Sequence, residues 1–384
     1  MDKTLNLEPF KNCLAHKNSI YVSNESAPYK PCCWFKTGIQ ANSAEEYREK
    51  LRKLDIKYNC QHCIKQEASG SKWSHRHLFH NPKEFVLGLC LDNICNLKCV
   101  TCHPVHSSKL ISEWEDLDLY DQSSDKKYFI KLSKQAPDKI EFAKSVLNSS
   151  DFDILKLEIF GGEPLVNPKV FDFIDWVSNQ KYAKKTFLSI TTNATTYTEK
   201  IKEYTDKFER VALQLSIDGI GEVFEYLRYG ASWEKTSKVI ADYYSMLDST
   251  SNFSLSFNYT LSWMNSLHFT DFFNWAYNNY PRNQTHLTKL EEPRGYSVDM
   301  LSLSQRERLV EYFLKNIDSD IDNHDYQKFI DFYKQSMIFK NFDDFDIKLY
   351  NQGTKAMMKK DEVRGLNYKN VFSDVLEFIR NEAT

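Results

Sequence analysis

The 384-residue chain lacks any large excess of one charge sign: its formal net charge is -3 at neutral pH, with Lys and Arg scattered among Asp and Glu. No basic stripe marks a nucleic-acid surface, so a polynucleotide partner is not expected. Long hydrophobic runs are missing as well. No uninterrupted apolar stretch approaches the roughly 20 residues that cross a bilayer, so no membrane association is expected. The opening MDKTLNLEPFKN has neither the basic segment nor the apolar core of a secretory signal, which points to a reducing cytoplasm. Internal repeats and low-complexity tracts are absent too, which sets aside repeat architectures. Cysteine, by contrast, is well represented: nine residues, eight of them in two clusters with short spacings. In a reducing compartment such clusters read as metal ligands before disulfides.

The chain divides by character into three parts: residues 1–80, 81–300 and 301–384. The first bears cysteines and histidines, a short strand at Ser19-Ile20-Tyr21-Val22 and an amphipathic helix from Ala44 to Leu54; its apolar content is too small for a stable core without a staple. From Glu84 the pattern alternates. EFVLGLCL, ILKLEIF, TFLSITT, RVALQLSI and FSLSFNYTL read as strands, with PKVFDFIDWVSNQ, WEKTSKVIADYYSML and FTDFFNWAYNN as helices between them. This alternation predicts an α/β fold with a parallel sheet rolled into a partial or full barrel, whose chemistry gathers where strand ends open into loops. The last part reads as a helical packing element without obvious chemistry.

The stretch CNLKCVTC follows the first of these strands and places Cys95, Cys99 and Cys102 within eight residues. A chain with this cysteine content would show the spacing by chance on the order of 1 time in 200. Four thiolates close an iron-sulfur site, whereas three hold three irons of a 4Fe-4S cluster and leave the fourth open to an outside ligand. The second strand ends in Gly161-Gly162-Glu163-Pro164, where two glycines let a ligand approach the backbone and a carboxylate can accept from an ammonium group.

The three-cysteine loop followed by this GGEP motif resembles the radical S-adenosylmethionine (radical SAM) superfamily. The resemblance implies a partial (β/α)6 barrel in which Cys95, Cys99 and Cys102 ligate the cluster and the methionine part of SAM chelates the open iron. Reduction of the cluster then cleaves SAM to a 5'-deoxyadenosyl radical, which abstracts hydrogen from a substrate. It further implies SAM contacts at Gly161, Gly162 and Glu163, and at the later strand ends through Thr192, Asn193, Ser216 and Asp218. Arg228 resembles the arginine that reaches the SAM carboxylate, with an ion pair at the surface as the alternative, and Asn265 is a further candidate. The family's usual aromatic or methionine before the third cysteine is here Thr101. Cys90 has no partner at ligand spacing and reads as a buried thiol. Trp263 and Tyr259 read as core residues, with stacking on a ring as the alternative.

Cys13, Cys32, Cys33, Cys60 and Cys63 form the amino-terminal cluster. One reading pairs Cys60 and Cys63 with His75 and His80 around zinc. The other takes Cys13, one of Cys32 or Cys33, Cys60 and Cys63 as four thiolates. Together with PCCWF and the run from Cys60 to Gly70, this second pattern resembles the SPASM or Twitch modules that carry an auxiliary iron-sulfur cluster, here placed before the barrel. The resemblance implies an oxidoreductase-type enzyme acting on a peptide or small-molecule substrate, with an electron donor such as flavodoxin or ferredoxin as partner. Two other classes stay open: a zinc-dependent binding module, and a radical SAM fold without turnover that serves as an interaction protein.

Overall fold

The computed structural model describes residues 7–24, 27–68, 74–119, 138–317, 330–334, 336–337 and 347–380. Gly70 and most of the insertion read between Asp116 and Asp138 lie outside the described residues. The fold is α/β. Its strands are β1 (Ser19–Val22), β2 (Tyr29–Lys30), β3 (Glu84–Leu89), β4 (Ile154–Ile159), β5 (Thr186–Thr192), β6 (Arg210–Ser216), β7 (Phe253–Leu261) and β8 (Gln284–Lys289). They are ordered β2-β1-β3-β4-β5-β6-β7-β8. β1 pairs in parallel with β3, as do β3 with β4, β4 with β5, and β7 with β8; only the short β2 is antiparallel among these pairs. From β3 onward strands and helices alternate as expected of a partial (β/α)6 barrel.

Side-chain alternation explains the strands. In β4 the residues Leu155, Leu157 and Ile159 are buried while Ile154, Lys156 and Glu158 are partly exposed. In β7 Phe253, Leu255, Phe257, Tyr259 and Leu261 are buried while Ser254, Ser256, Asn258 and Thr260 take the other face. One face of β4 and of β7 is thus apolar and packed and the other mainly polar, the period-two signature of a strand.

The helices named below are α1 (Ala44–Arg52), α2 (Gln61–Ala68), α3 (Leu110–Asp116), α4 (Lys139–Ser149), α5 (Pro168–Ser178), α6 (Lys200–Thr205), α7 (Gly221–Leu227), α8 (Trp233–Ser249), α9 (Phe269–Asn279), α10 (Leu303–Asn316) and α11 (Ile347–Arg364). The start of α5 is set by Asn167, whose side chain accepts from the Lys169 amide, and by Pro168 in the first turn. Val170, Phe173, Ile174 and Val177 then recur on one face and are buried. Each such burial is worth about 1.5–3 kcal/mol.

The chain forms two compact units, one of residues 1–94, 120–191 and 198–212, the other of 95–119, 192–197 and 213–384. In the second unit α11 lies directly on the backbone near Gly295: the Gly353 Cβ position would be 2.9 Å from the Gly295 oxygen, and a Cβ on Gly295 would overlap the Leu349 carbonyl. Two glycines therefore let helix and loop touch without side chains between them. Trp263 is fully buried there and donates from Nε1 to the Gly295 oxygen at 3.1 Å. Tyr259 is also fully buried, its hydroxyl donating to the Asn265 carbonyl at 2.8 Å, so both aromatics belong to the core.

Candidate functional site

The cysteine loop leaves the end of β3 and is built from backbone hydrogen bonds. The Lys98 amide donates to Tyr229 O at 2.9 Å and the Val100 amide to Leu227 O at 2.8 Å, tying the loop to the end of α7. The Cys102 amide closes a turn on Cys99 O at 3.3 Å, and Ser107 Oγ donates to Leu97 O at 2.7 Å. Cys95, Cys99 and Cys102 are all partly exposed on this frame. Burial pushes the Cys99 thiol well up, with Arg228 opposing it; burial and then Cys95 push Cys102 up to about 11. Ligand binding at these sulfurs therefore displaces protons.

Arg228 is 8% exposed and pairs through Nη2 with Asp218 Oδ2 at 2.8 Å, so its ion pair is buried and not at the surface. Its buried Nε has no hydrogen-bond partner among the described residues. An orphaned guanidinium donor is costly unless a ligand completes it, and a carboxylate is the natural complement. Asp218 also accepts from the Thr260 amide at 2.9 Å.

Asn265 differs in character. Its amide nitrogen donates to Asp218 O and Thr260 O, each at 3.0 Å, and its oxygen accepts from Ser262 N at 2.8 Å and Ser262 Oγ at 2.9 Å. Two donors and two acceptor sites are thereby filled by protein. Asn193 reaches Asn96 in the cysteine loop, Nδ2 to Oδ1 at 2.8 Å, and accepts from Thr195 N and Oγ1. Thr192 is buried, its hydroxyl accepting from the Ala194 amide at 3.2 Å. Ser216 is partly exposed at the end of β6.

Gly161, Gly162 and Glu163 lie in the other unit, with Ile94, the residue joined by one peptide bond to Cys95. The Glu163 amide donates to Ile94 O at 2.7 Å, and its buried carboxylate accepts from the Leu165 amide at 3.1 Å. Both glycines are left-handed, with φ of 80° and 57°. A Cβ would overlap Cys90 Sγ at Gly161 and Ile94 O at Gly162. Cys90 itself is buried, and burial pushes it up to about 12.

The amino-terminal cysteines fall into two small apolar clusters. Cys13 and Cys32 pack on Ala15, Tyr21, Phe79 and Val86, and Cys60 packs on Phe10, Cys63 and Ile64. Cys13, Cys32, Cys60 and Cys63 all line one cavity, with His16, Trp34, His62 and His75 among its walls. Cys33 is not in that lining; it is exposed, and its Sγ lies 3.4 Å from His75 Nε2. His80 is exposed and bonded to the His77 carbonyl, so the Cys2His2 set is not gathered. Burial pushes Cys32 and Cys60 up to about 12 and raises Cys13 and Cys63. Among the described residues no three His, Cys, Asp or Glu side chains stand close enough to hold a single ion. A single ion draws its ligands to about 2.0–2.3 Å, whereas a four-iron cube holds its thiolates apart at its corners. Cys13, Cys32, Cys60 and Cys63 thus share one largely apolar cavity without converging on a single-ion site among the described residues.

Sequence reasoning missed three charged side chains of α3 and α11. Arg364 Nη2 donates to Lys98 O at 2.8 Å and to Glu113 Oε1 at 2.6 Å, and Lys360 Nζ donates to Val100 O at 3.1 Å. Lys360 is fully enclosed, its ammonium 5.4 Å from the Trp114 ring centre and 5.7 Å from that of Tyr296. Burial, with Arg364 beside it, pulls Lys360 down to about 8. No sequence motif marks such residues.

No family model and no curated protein matches the chain. Solved structures do resemble it. Native anSMEcpe with bound AdoMet shares 18% identity at a TM-score of 0.43, over 64% of this chain and 62% of that one. Streptococcus suis SuiB bound to S-adenosylmethionine shares 15% at 0.38, over 72% and 53%. TYW1 with a lysine-pyruvate adduct bound shares 13% at 0.29, over 58% and 70%. The chain thus spans less than two thirds of the first two.

Proposed function

We propose that the chain is a radical SAM enzyme in which Cys95, Cys99 and Cys102 hold a 4Fe-4S cluster and SAM completes the open iron. The observation that carries the reading is the three-thiol loop itself, whose backbone is fixed by Tyr229 O and Leu227 O. When bound, the cluster and SAM supply reductive cleavage of the sulfonium and a carbon radical that abstracts hydrogen. The protein's own part is to bind and orient. Gly161 and Gly162 offer backbone where side chains would not fit, and Arg228 offers its unpartnered Nε to a carboxylate. Asn265, with its hydrogen bonds filled, holds Asp218 and Thr260 in place.

Cys13, Cys32, Cys60 and Cys63 would hold a second iron-sulfur cluster, in a Twitch-like module spanning residues 1–80 before the barrel of 81–300 and the extension of 301–384. The shared cavity of the four thiols supports this. With all four irons ligated by protein, the second cluster transfers electrons and does not bind substrate. That arrangement suits oxidation of a peptide side chain, an amino sugar or another small molecule, with flavodoxin or ferredoxin as electron donor and the cytoplasm as location.

The test is iron and sulfide per chain after anaerobic reconstitution, with deoxyadenosine release followed alongside, for the native chain and a Cys95/Cys99/Cys102→Ala variant. About eight irons falling to about four, with deoxyadenosine lost, is expected. Negligible iron with bound zinc would overturn the reading.

A further inference from the structure

Helix α11 does more than cover the core. It crosses the backbone at Gly295 and Gly353, which leaves no side-chain layer to cushion a shift along its axis. From that seat its last turns deliver two cations to the cysteine loop. Lys360 donates to the carbonyl of Val100, between Cys99 and Cys102, and Arg364 donates to the carbonyl of Lys98, the residue before Cys99. The amides of the same two residues are already taken by Leu227 and Tyr229. Lys98 and Val100 therefore have both backbone groups engaged, and the stretch carrying Cys99 is fixed from α7 and α11 together.

The two cations are not equivalent. Arg364 is answered by Glu113, through Nε at 3.2 Å and Nη2 at 2.6 Å, and Lys98 Nζ lies 3.5 Å from the same carboxylate. Lys360 has no carboxylate within ion-pairing distance among the described residues, and Glu113, already engaged by Arg364 and Lys98, acts on it only from farther off; its ammonium meets a carbonyl and the faces of Trp114 and Tyr296. It is 1% exposed. A buried cation without a counter-charge is costly unless an anionic partner offsets it. Three thiolates on an iron-sulfur cluster are such a partner, and their negative charge grows by one on reduction.

Resting on the radical SAM reading above, we infer that Lys360 is a positioning and potential-setting residue: its ammonium, seated by α11 on the Val100 carbonyl, favours the reduced form of the cluster held by Cys95, Cys99 and Cys102. The sign follows from Coulomb's law, since a fixed positive charge stabilises the more negative oxidation state.

The experiment is a redox titration of the reconstituted full-length chain, followed by electron paramagnetic resonance without SAM, for the native protein and the variants K360M, K360Q and K360R. Circular dichroism and iron content accompany each. K360M is expected to keep its iron and to lower the reduced-to-oxidised ratio at a fixed potential about tenfold, which is about 59 mV for one electron. K360Q, which keeps a donor for Val100 but no charge, is expected to shift the same way and decides the matter if K360M fails to fold. K360R is expected to stay near the native midpoint. A native midpoint in K360M or K360Q with native iron content overturns this inference alone. Absence of iron from the native chain overturns the functional reading and this inference with it.

Discussion

Arg228 and Asp218 are joined by a 2.8 Å ion pair between two residues that are each more than nine-tenths buried. Asp218→Asn keeps an oxygen for the Thr260 amide but leaves the guanidinium without its counter-charge. The expected cost is about 3–5 kcal/mol, read from the urea midpoint of the apo-protein. Pairing it with Arg228→Met should recover a large part of that loss, because the uncompensated charge is gone. A single Asp218→Asn variant as stable as the native chain would mean that the pair is solvated in solution.

Gly161 and Cys90 compete for the same space. Gly161→Ala must accept both a left-handed φ of 80° and an overlap with Cys90 Sγ, at an expected cost of about 2–3 kcal/mol. Adding Cys90→Ala should return the steric part and leave the backbone strain. The same addition should do nothing for Gly162→Ala, whose overlap is with Ile94 O. Equal rescue of both glycine variants in thermal melts would contradict this geometry.

Cys32 and Cys33 are neighbours in the chain, yet only Cys32 lines the four-cysteine cavity. Cys32→Ala is expected to lose about four irons per reconstituted chain, and Cys33→Ala to lose none. Iron analysis of the two variants separates them. Loss from Cys33→Ala alone would reverse the assignment.

The cavity histidines give the apo-protein an acid limit. Burial holds His16 and His62 below their ordinary value, and burial with His62 nearby takes His75 down to about 4. Their unfolded forms accept protons first, so stability is intact above the ordinary histidine value of about 6.5 and is lost as pH falls from there toward 4. For His75 the loss is on the order of 2 kcal/mol once its partial exposure is discounted. Urea midpoints between pH 7 and 4.5 should fall less steeply in His75→Phe than in the native chain. Identical slopes would remove His75 from the account.

The strands with one apolar and one polar face were readable from residues alone. Thr186–Thr192 and Phe253–Leu261 coincide with the alternating runs TFLSITT and FSLSFNYTL, because alternation is what burial of one face requires. β8 escaped for the same reason: in Gln284–Lys289 only Leu287 is buried, so there is no apolar period to see. The cysteine loop was legible because it places three cysteines within eight residues. Its supports were not. Lys360 and Arg364 sit in a helix rich in lysine, where a buried cation and a solvated one have the same letter, and only the fold separates them. Asn265 shows the converse: its place after β7 suggested a ligand contact, and its four protein hydrogen bonds reveal a brace.

The hydrogen bond from Arg364 to the Lys98 carbonyl spans 266 residues of chain. At about 5–20 residues per second of synthesis, roughly 13–50 s separate the appearance of the two ends on the ribosome. Throughout that interval the cysteine loop exists as a nascent segment without its last two restraints, its thiols open to oxidation or to the wrong metal. On the radical SAM reading proposed above, delivery of iron and sulfide is therefore best timed to follow translation, and a cell making this protein faster than it supplies clusters would accumulate chains whose loop closed empty.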